Sequence, residues 1–135
     1  MPTRYVLGID LGTTNSVLAY APLGVDNAQV EILPIPQLVA PSVVETRPAL
    51  PSFLYLAAEH EAAAGNFNLP WADARDFVVG ELARRQAADV PTRTVVAAKS
   101  WLCHHGVDRH QALLPFNAPP DVPKTSPVAA SKAPS

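Results

Sequence analysis

The chain has 135 residues, a net charge of −2, 48% apolar residues and a single cysteine. This length suffices for one small domain, and the charge balance argues against a general binder of nucleic acid or anionic membranes. One cysteine excludes an internal disulfide and fits a reducing compartment. The sequence shows no secretory leader and no apolar stretch of membrane-spanning length. These features predict a soluble, cytoplasmic protein without a nucleic-acid or membrane partner.

The first predicted element is a β-hairpin over residues 5–21. Residues 5–9 form a short apolar run, which is typical of a strand buried on both faces. Asp10 ends this run, and Gly12 opens a Gly-Thr-Thr-Asn stretch that is rich in turn formers. Residues 16–21 resume an apolar run and predict the second strand.

The predicted turn offers groups that can bind phosphate. Gly12 lacks a side chain, so a ligand can approach the backbone closely, and successive N–H groups of a turn can form an anion-binding nest. Thr13, Thr14 and Asn15 add side-chain donors. Asp10 supplies the carboxylate oxygen that Mg²⁺ prefers, often through water. The pattern predicts a Mg²⁺–nucleotide phosphate site, and an ordinary hairpin turn is the alternative interpretation.

Three further strands are predicted from short apolar, β-favouring runs. They lie at residues 30–33, 52–56 and 77–80. The proline-rich stretch 37–51 predicts an extended, irregular connection. Residues 57–76 predict a loop or insertion in which an alanine run can form one helical turn.

Two helices are predicted in the second half of the chain. Strong helix formers occupy residues 81–88. A second helix is predicted to begin at Thr92, a suitable N-cap, because apolar residues recur at helical spacing from Val95 to Leu102. Lys99 lies outside that apolar stripe. The adjacent histidines that follow point to different helix faces and have no cysteine or acidic partner at ligand spacing, so they do not indicate a metal site.

The sequences of two segments, and the position of one lysine, resemble those of the seventy-kilodalton heat-shock chaperones. Residues 8–16, Gly-Ile-Asp-Leu-Gly-Thr-Thr-Asn-Ser, resemble the first phosphate loop of the actin, sugar-kinase and heat-shock ATPases, and the Asn-Ser is most similar to DnaK-type chaperones. Residues 79–87 resemble the chaperones' Val-Gly followed by Ala-Lys-Arg-Gln-Ala. Lys99 lies where those proteins carry a lysine within Ala-Ile-Lys-Arg, although Ser100 replaces the arginine here. A Pro-Ser pair at 51–52 also matches the family.

The resemblance implies an α/β fold for residues 1–116. This would be part of a ribonuclease-H-like, actin-like ATPase lobe, with the first hairpin sheet and a small accessory subdomain. It also implies binding of ATP and Mg²⁺. The residues implied as ligands are Gly12, Thr13, Thr14 and Asn15 for the phosphates and Asp10 for Mg²⁺.

Lys99 is implied to be catalytic, stabilising the transferring phosphoryl group. A solvated helix lysine is its alternative interpretation. The parent protein would be an ATP-dependent chaperone that binds unfolded peptides and co-chaperones.

Residues 117–135 form a proline-rich end, which we expect to be truncated or disordered. Ser126 as a cap and Pro127 in the first turn favour the start of a helix there. The sequence contains no second phosphate loop of the Asp-Leu-Gly-Gly-Gly-Thr type. We therefore expect an N-terminal fragment of an ATPase domain. Two alternatives stay open: another actin-superfamily ATPase such as a sugar kinase, and an inactive stub without ATPase activity.

Overall fold

The computed structural model describes residues 4–116 and 118–132. Over these residues the fold is mixed α/β, with small antiparallel sheets and short helices. The strands are β1 (Tyr5–Leu11), β2 (Asn15–Pro22), β3 (Glu31–Leu33), β4 (Ile35–Ala40), β5 (Val43–Arg47), β6 (Leu50–Pro51), β7 (Phe53–Leu56), β8 (Phe77–Val79) and β9 (Thr94–Val96). The helices are α1 (Glu59–Ala63), α2 (Glu81–Asp89), α3 (Ala98–Leu102) and α4 (Pro127–Lys132), with a 3-10 turn at Pro91–Arg93. Within the described ranges, no helix has the length and apolar character that crossing a membrane requires.

The first sheet is built on the predicted hairpin. β1 pairs antiparallel with β2, from Tyr5 opposite Pro22 to Leu11 opposite Ser16. β3 also pairs with β2, and the two residues of β6 pair with the start of β2. The predictions of a hairpin over residues 5–21 and of a strand at 30–33 are confirmed.

The prediction that residues 5–9 are buried on both faces is wrong. Every residue of β1 is exposed, and Ile9 is 64% exposed. β1 lies at the edge of its sheet, paired with β2 on one side. An apolar strand is buried on both faces only where further layers cover the sheet, and the described residues leave both faces of β1 open.

Residues 35–47 form a second hairpin where the sequence predicted an irregular connection. β4 pairs antiparallel with β5, with an irregularity in the register between Leu38 and Ala40. Pro36 lies in this two-stranded sheet and Pro41 in its turn. The prediction was wrong because prolines are compatible with edge strands and turns, where their missing N–H is not needed.

The third sheet has β7 at its centre, between β8 and β9. The predicted strands at 52–56 and 77–80 are confirmed, and the predicted helix over 81–88 is confirmed as α2. Within the predicted loop at 57–76, the one helical element is α1, which overlaps the alanine run. The main core cluster comprises Leu38, Tyr55, Ala57, Phe67, Val78, Leu82 and Ala83.

The helix predicted to begin at Thr92 starts later in the structure. Residues 94–96 form β9 and pair with β7, and α3 begins only at Ala98. Thr94, Val95 and Val96 are β-branched, so they suit a strand wherever a sheet edge is available to pair with.

The helix expected near the end of the chain is confirmed as α4. Ser126 Oγ accepts a hydrogen bond from the Ala129 N–H at 3.1 Å, so Ser126 caps the first turn. Thr125 forms an isolated β-bridge with Leu114. A second buried cluster comprises Leu54, Val95, Leu114 and Ala130, and it joins α4 to the sheet of β7.

Candidate functional site

The predicted phosphate loop is the two-residue turn of the β1–β2 hairpin. The Gly12 N–H donates to the Asn15 carbonyl at 2.9 Å, so Thr13 and Thr14 form the tip. A Cβ on Gly12 would lie 2.4 Å from the Asn15 carbonyl oxygen, which is too close for any side chain. Within the described ranges, the amides of Thr13 and Thr14 donate to no protein acceptor. They are available to an external anion, whereas the Gly12 amide is engaged within the hairpin.

The side chains predicted to bind phosphate lie at the surface. Thr13, Thr14 and Asn15 are all exposed at the tip of the turn. Asp10 is exposed near the end of β1, opposite Val17. Alternation along the strand puts the Asp10 side chain on the face opposite to that of Leu11.

Helix α3 brings Lys99 to the hairpin. Lys99 Nζ donates a hydrogen bond to the Leu11 carbonyl oxygen at 2.5 Å, across 88 residues of sequence. The Gly12 N–H bonds across the hairpin to the Asn15 carbonyl, so at the neighbouring pair, Leu11 opposite Ser16, the backbone groups of Leu11 point away from β2. Lys99 therefore approaches the open edge of β1, directly beside the turn.

A pocket of about 340 Å³ opens between the hairpin, the third sheet and the helices. Its wall is mostly apolar with a few polar groups, as is usual for small-molecule sites. The hairpin and α3 contribute Leu11, Gly12, Ser16, Ala98, Lys99 and Leu102. Lys99 lines this pocket, whereas Asp10 does not.

The side chains at the turn are too few to hold a metal ion by themselves. Among the described residues, no group of three or more His, Cys, Asp or Glu side chains could hold a metal ion. Asp10 offers a single carboxylate. Mg²⁺ commonly takes one or two protein carboxylates and completes its coordination with water and phosphate oxygens. A single carboxylate would leave most of the coordination to water and phosphate oxygens, and the described residues do not form a stand-alone metal site.

Ser52 contacts the turn, a role that the sequence analysis did not assign to it. Ser52 Oγ donates to the Gly12 carbonyl at 2.9 Å, and the Ser52 N–H donates to the Thr14 carbonyl at 2.8 Å. The available signal was the Pro-Ser pair at 51–52, which matches the resembled family. That signal identifies the residue but not its partners, which are about 40 positions away.

No family model matches this chain, and the search of solved structures found no match.

Proposed function

We propose that this chain carries the first phosphate loop and the catalytic lysine of an ATP-dependent molecular chaperone of the seventy-kilodalton heat-shock type. It would form the N-terminal part of the ATPase domain, within an actin-like lobe. The contact between Lys99 Nζ and the Leu11 carbonyl is the observation that carries this proposal. This contact brings the exposed Lys99 side chain next to the Gly-Thr-Thr-Asn turn.

Each residue has a distinct chemical role in the proposed site. The free amides and the hydroxyls of Thr13 and Thr14 donate to phosphate oxygens, and Asn15 adds a side-chain donor. Asp10 is the residue that would hold Mg²⁺, which neutralises phosphate charge when bound. Lys99 holds its ammonium group where charge develops during phosphoryl transfer, and such positioning is the main source of catalysis in this chemistry.

The described residues supply one side of a phosphate site. The turn is exposed, so water competes for every hydrogen bond and screens the charge of Lys99. We therefore expect the chain itself to bind MgATP weakly, with a Kd in the millimolar range, about −4 kcal/mol. We expect no hydrolysis by the isolated chain. Turnover and the binding of unfolded peptides and co-chaperones belong to the proposed parent protein.

The proposal is tested by titrating the ¹⁵N-labelled chain with MgATP and following its amide resonances. We expect shifts at Thr13, Thr14 and Asn15, and none with adenosine, which lacks phosphate. Lys99→Gln should weaken binding about fivefold, equivalent to ~1 kcal/mol for an exposed charge. Lys124→Gln is the matched control, because Lys124 is exposed and does not line the pocket. Equal effects of the two substitutions, or no shifts at the turn, would refute the proposal.

A sugar kinase or an actin-like filament protein is the alternative within the superfamily. The Asn-Ser at 15–16 and the Arg-Arg-Gln at 84–86 resemble the chaperones instead. Sequencing the coding DNA beyond the last codon and weighing the native protein decides between them. A reading frame that continues into a second glycine-rich loop and a peptide-binding domain supports the chaperone. Phosphorylation of a polyol by the native protein would overturn it.

A further inference from the structure

We infer that Ser52 is a positioning residue that holds the phosphate-binding turn in register with the helix that carries Lys99. This inference rests on the proposed function of the turn. Ser52 lies between β6 and β7, half-buried, where the hairpin sheet meets the third sheet. Its hydroxyl and N–H bond to the turn, and its carbonyl bonds to the residue that precedes α3.

Two of these groups hold the turn. Ser52 Oγ donates to the Gly12 carbonyl at 2.9 Å, and the Ser52 N–H donates to the Thr14 carbonyl at 2.8 Å. In a trans peptide the carbonyl and the following N–H lie in one plane and point in opposite directions. Holding the Gly12 carbonyl therefore directs the Thr13 N–H away from Ser52, toward solvent.

The third group holds the helix. The Ser52 carbonyl accepts a hydrogen bond from the Ala97 N–H at 3.1 Å. Ala97 directly precedes α3 and adopts a left-handed backbone, with φ of 52°. This bond fixes the point from which α3 starts, two residues before Lys99. One residue thus joins the turn that carries the exposed amides to the start of the helix that carries Lys99.

The hydroxyl is the part of Ser52 that substitution can remove cleanly. Ser52→Ala deletes the bond to Gly12 and leaves both backbone bonds, so the sheet junction stays intact. The peptide between Gly12 and Thr13 is then free to rotate, and the Thr13 amide loses its fixed direction. We expect phosphate affinity to fall about threefold to tenfold, the usual effect of one hydrogen bond. Ser52→Thr keeps the hydroxyl and should bind within about twofold of the wild type.

The experiment titrates the 135-residue chain with inorganic phosphate and with MgATP, again by amide resonances. The variants are Ser52→Ala, Ser52→Thr and, as a matched control, Ser100→Ala, which removes an exposed hydroxyl from α3. The inference predicts weaker binding by Ser52→Ala alone, with retained circular dichroism. If the wild type binds and Ser52→Ala binds equally well, the inference is wrong and the proposed function stands.

A second measurement judges the inference without any ligand. The ¹⁵N order parameters of the Thr13 and Thr14 amides report motion of the turn on the picosecond to nanosecond timescale. We expect them to fall in Ser52→Ala and to recover in Ser52→Thr. Unchanged values in Ser52→Ala would overturn the inference. If the wild type binds neither phosphate nor MgATP, the proposed function fails, and the order parameters alone decide whether Ser52 positions the turn.

Discussion

The β1–β2 hairpin and the sheet of β8, β7 and β9 are both built from apolar strands, yet they differ in what covers them. All seven residues of β1 are exposed. β7, by contrast, lies between a core cluster that includes residues of α2 and a second cluster that includes a residue of α4. The apolar character of a strand therefore does not decide its burial. Burial requires a second layer of structure on each face.

The proposed phosphate-binding groups therefore lie in one region of the molecule, and the side chains that stabilise the fold lie in another. The turn with Thr13 and Thr14 belongs to the exposed hairpin, and the packed side chains belong to the third sheet and its helices. Ser52 and Lys99 connect the two regions by hydrogen bonds to the turn and to Leu11. We therefore expect substitutions in the packed region to change the free energy of unfolding, and substitutions in the hairpin to change binding or association.

The largest expected effect is the loss of Phe67 from the core. Phe67 is 1% exposed and stacks edge-on against Tyr55, with ring centroids 5.8 Å apart. Phe67→Ala should lower the free energy of unfolding by about 3–5 kcal/mol, because it leaves a cavity. The matched substitution Ile9→Ala in β1 should cost less than about 1 kcal/mol. Urea denaturation measures both, and similar costs would show that the hairpin is packed after all.

A smaller effect is expected at Gln37, a buried polar residue of β4. Its Oε1 accepts the Glu81 N–H at 2.9 Å, and its Nε2 donates to the Ala49 carbonyl at 2.9 Å. Gln37→Ala leaves both backbone groups without these partners and should cost about 1–3 kcal/mol. Gln29→Ala, at an exposed position, is the control. A thermal melt in which the two variants unfold together would contradict the role of Gln37.

Tyr55 adds a dependence on pH to the packed region. Burial, and then a hydrogen bond from its hydroxyl to the Glu61 carboxylate, raises the pKa of Tyr55 to about 12 from its usual 10. Below pH 10 this hydroxyl is protonated in both the folded and the unfolded chain. As the pH rises from 10 to 12, the unfolded chain loses this proton first, so the free energy of unfolding decreases.

The variant Tyr55→Phe isolates this contribution. At neutral pH it should cost about 1 kcal/mol, the worth of one hydrogen bond. Between pH 10 and 12 the wild type should lose stability relative to this variant, by about 1.4 kcal/mol for each unit of the pKa shift. Denaturation curves recorded at several alkaline pH values test this difference. Parallel pH profiles for the two proteins would show that the Tyr55 pKa is ordinary.

Substitution of an exposed residue in β1 is expected to have the smallest effect on the free energy of unfolding. Its main effect should be on association between chains. Leu7 is 64% exposed on an edge strand without lysine or proline, and such edges favour pairing between chains. Leu7→Lys should leave the free energy of unfolding within about 0.5 kcal/mol and reduce self-association at high concentration. Val25→Lys, an exposed apolar position outside the strands, is the control. Sedimentation velocity that shows equal association for both variants would exclude the β1 edge as the cause.

Local signals in the sequence predicted the elements whose geometry is set by neighbouring residues. Gly12 and the polar residues after it predicted the turn, and Ser126 with Pro127 predicted the start of α4. The second helix was misplaced because Thr94, Val95 and Val96 pair with β7, a strand about 40 residues earlier. Such pairing overrides helical spacing, since β-branched residues fit a sheet wherever an edge is available.

For the candidate site, the sequence by itself determined the residue types and the turn, because glycine and short polar residues favour a turn locally. The structure adds that a Cβ on Gly12 would meet the Asn15 carbonyl. Only the tertiary structure decided that Lys99 reaches the Leu11 carbonyl and that Ser52 holds the turn. It also decided that β1 is left uncovered. These three outcomes depend on contacts between residues about 40 or more positions apart, or on layers that do or do not cover a sheet. The local propensity of a segment carries no information about such long-range contacts or about which layers cover a sheet.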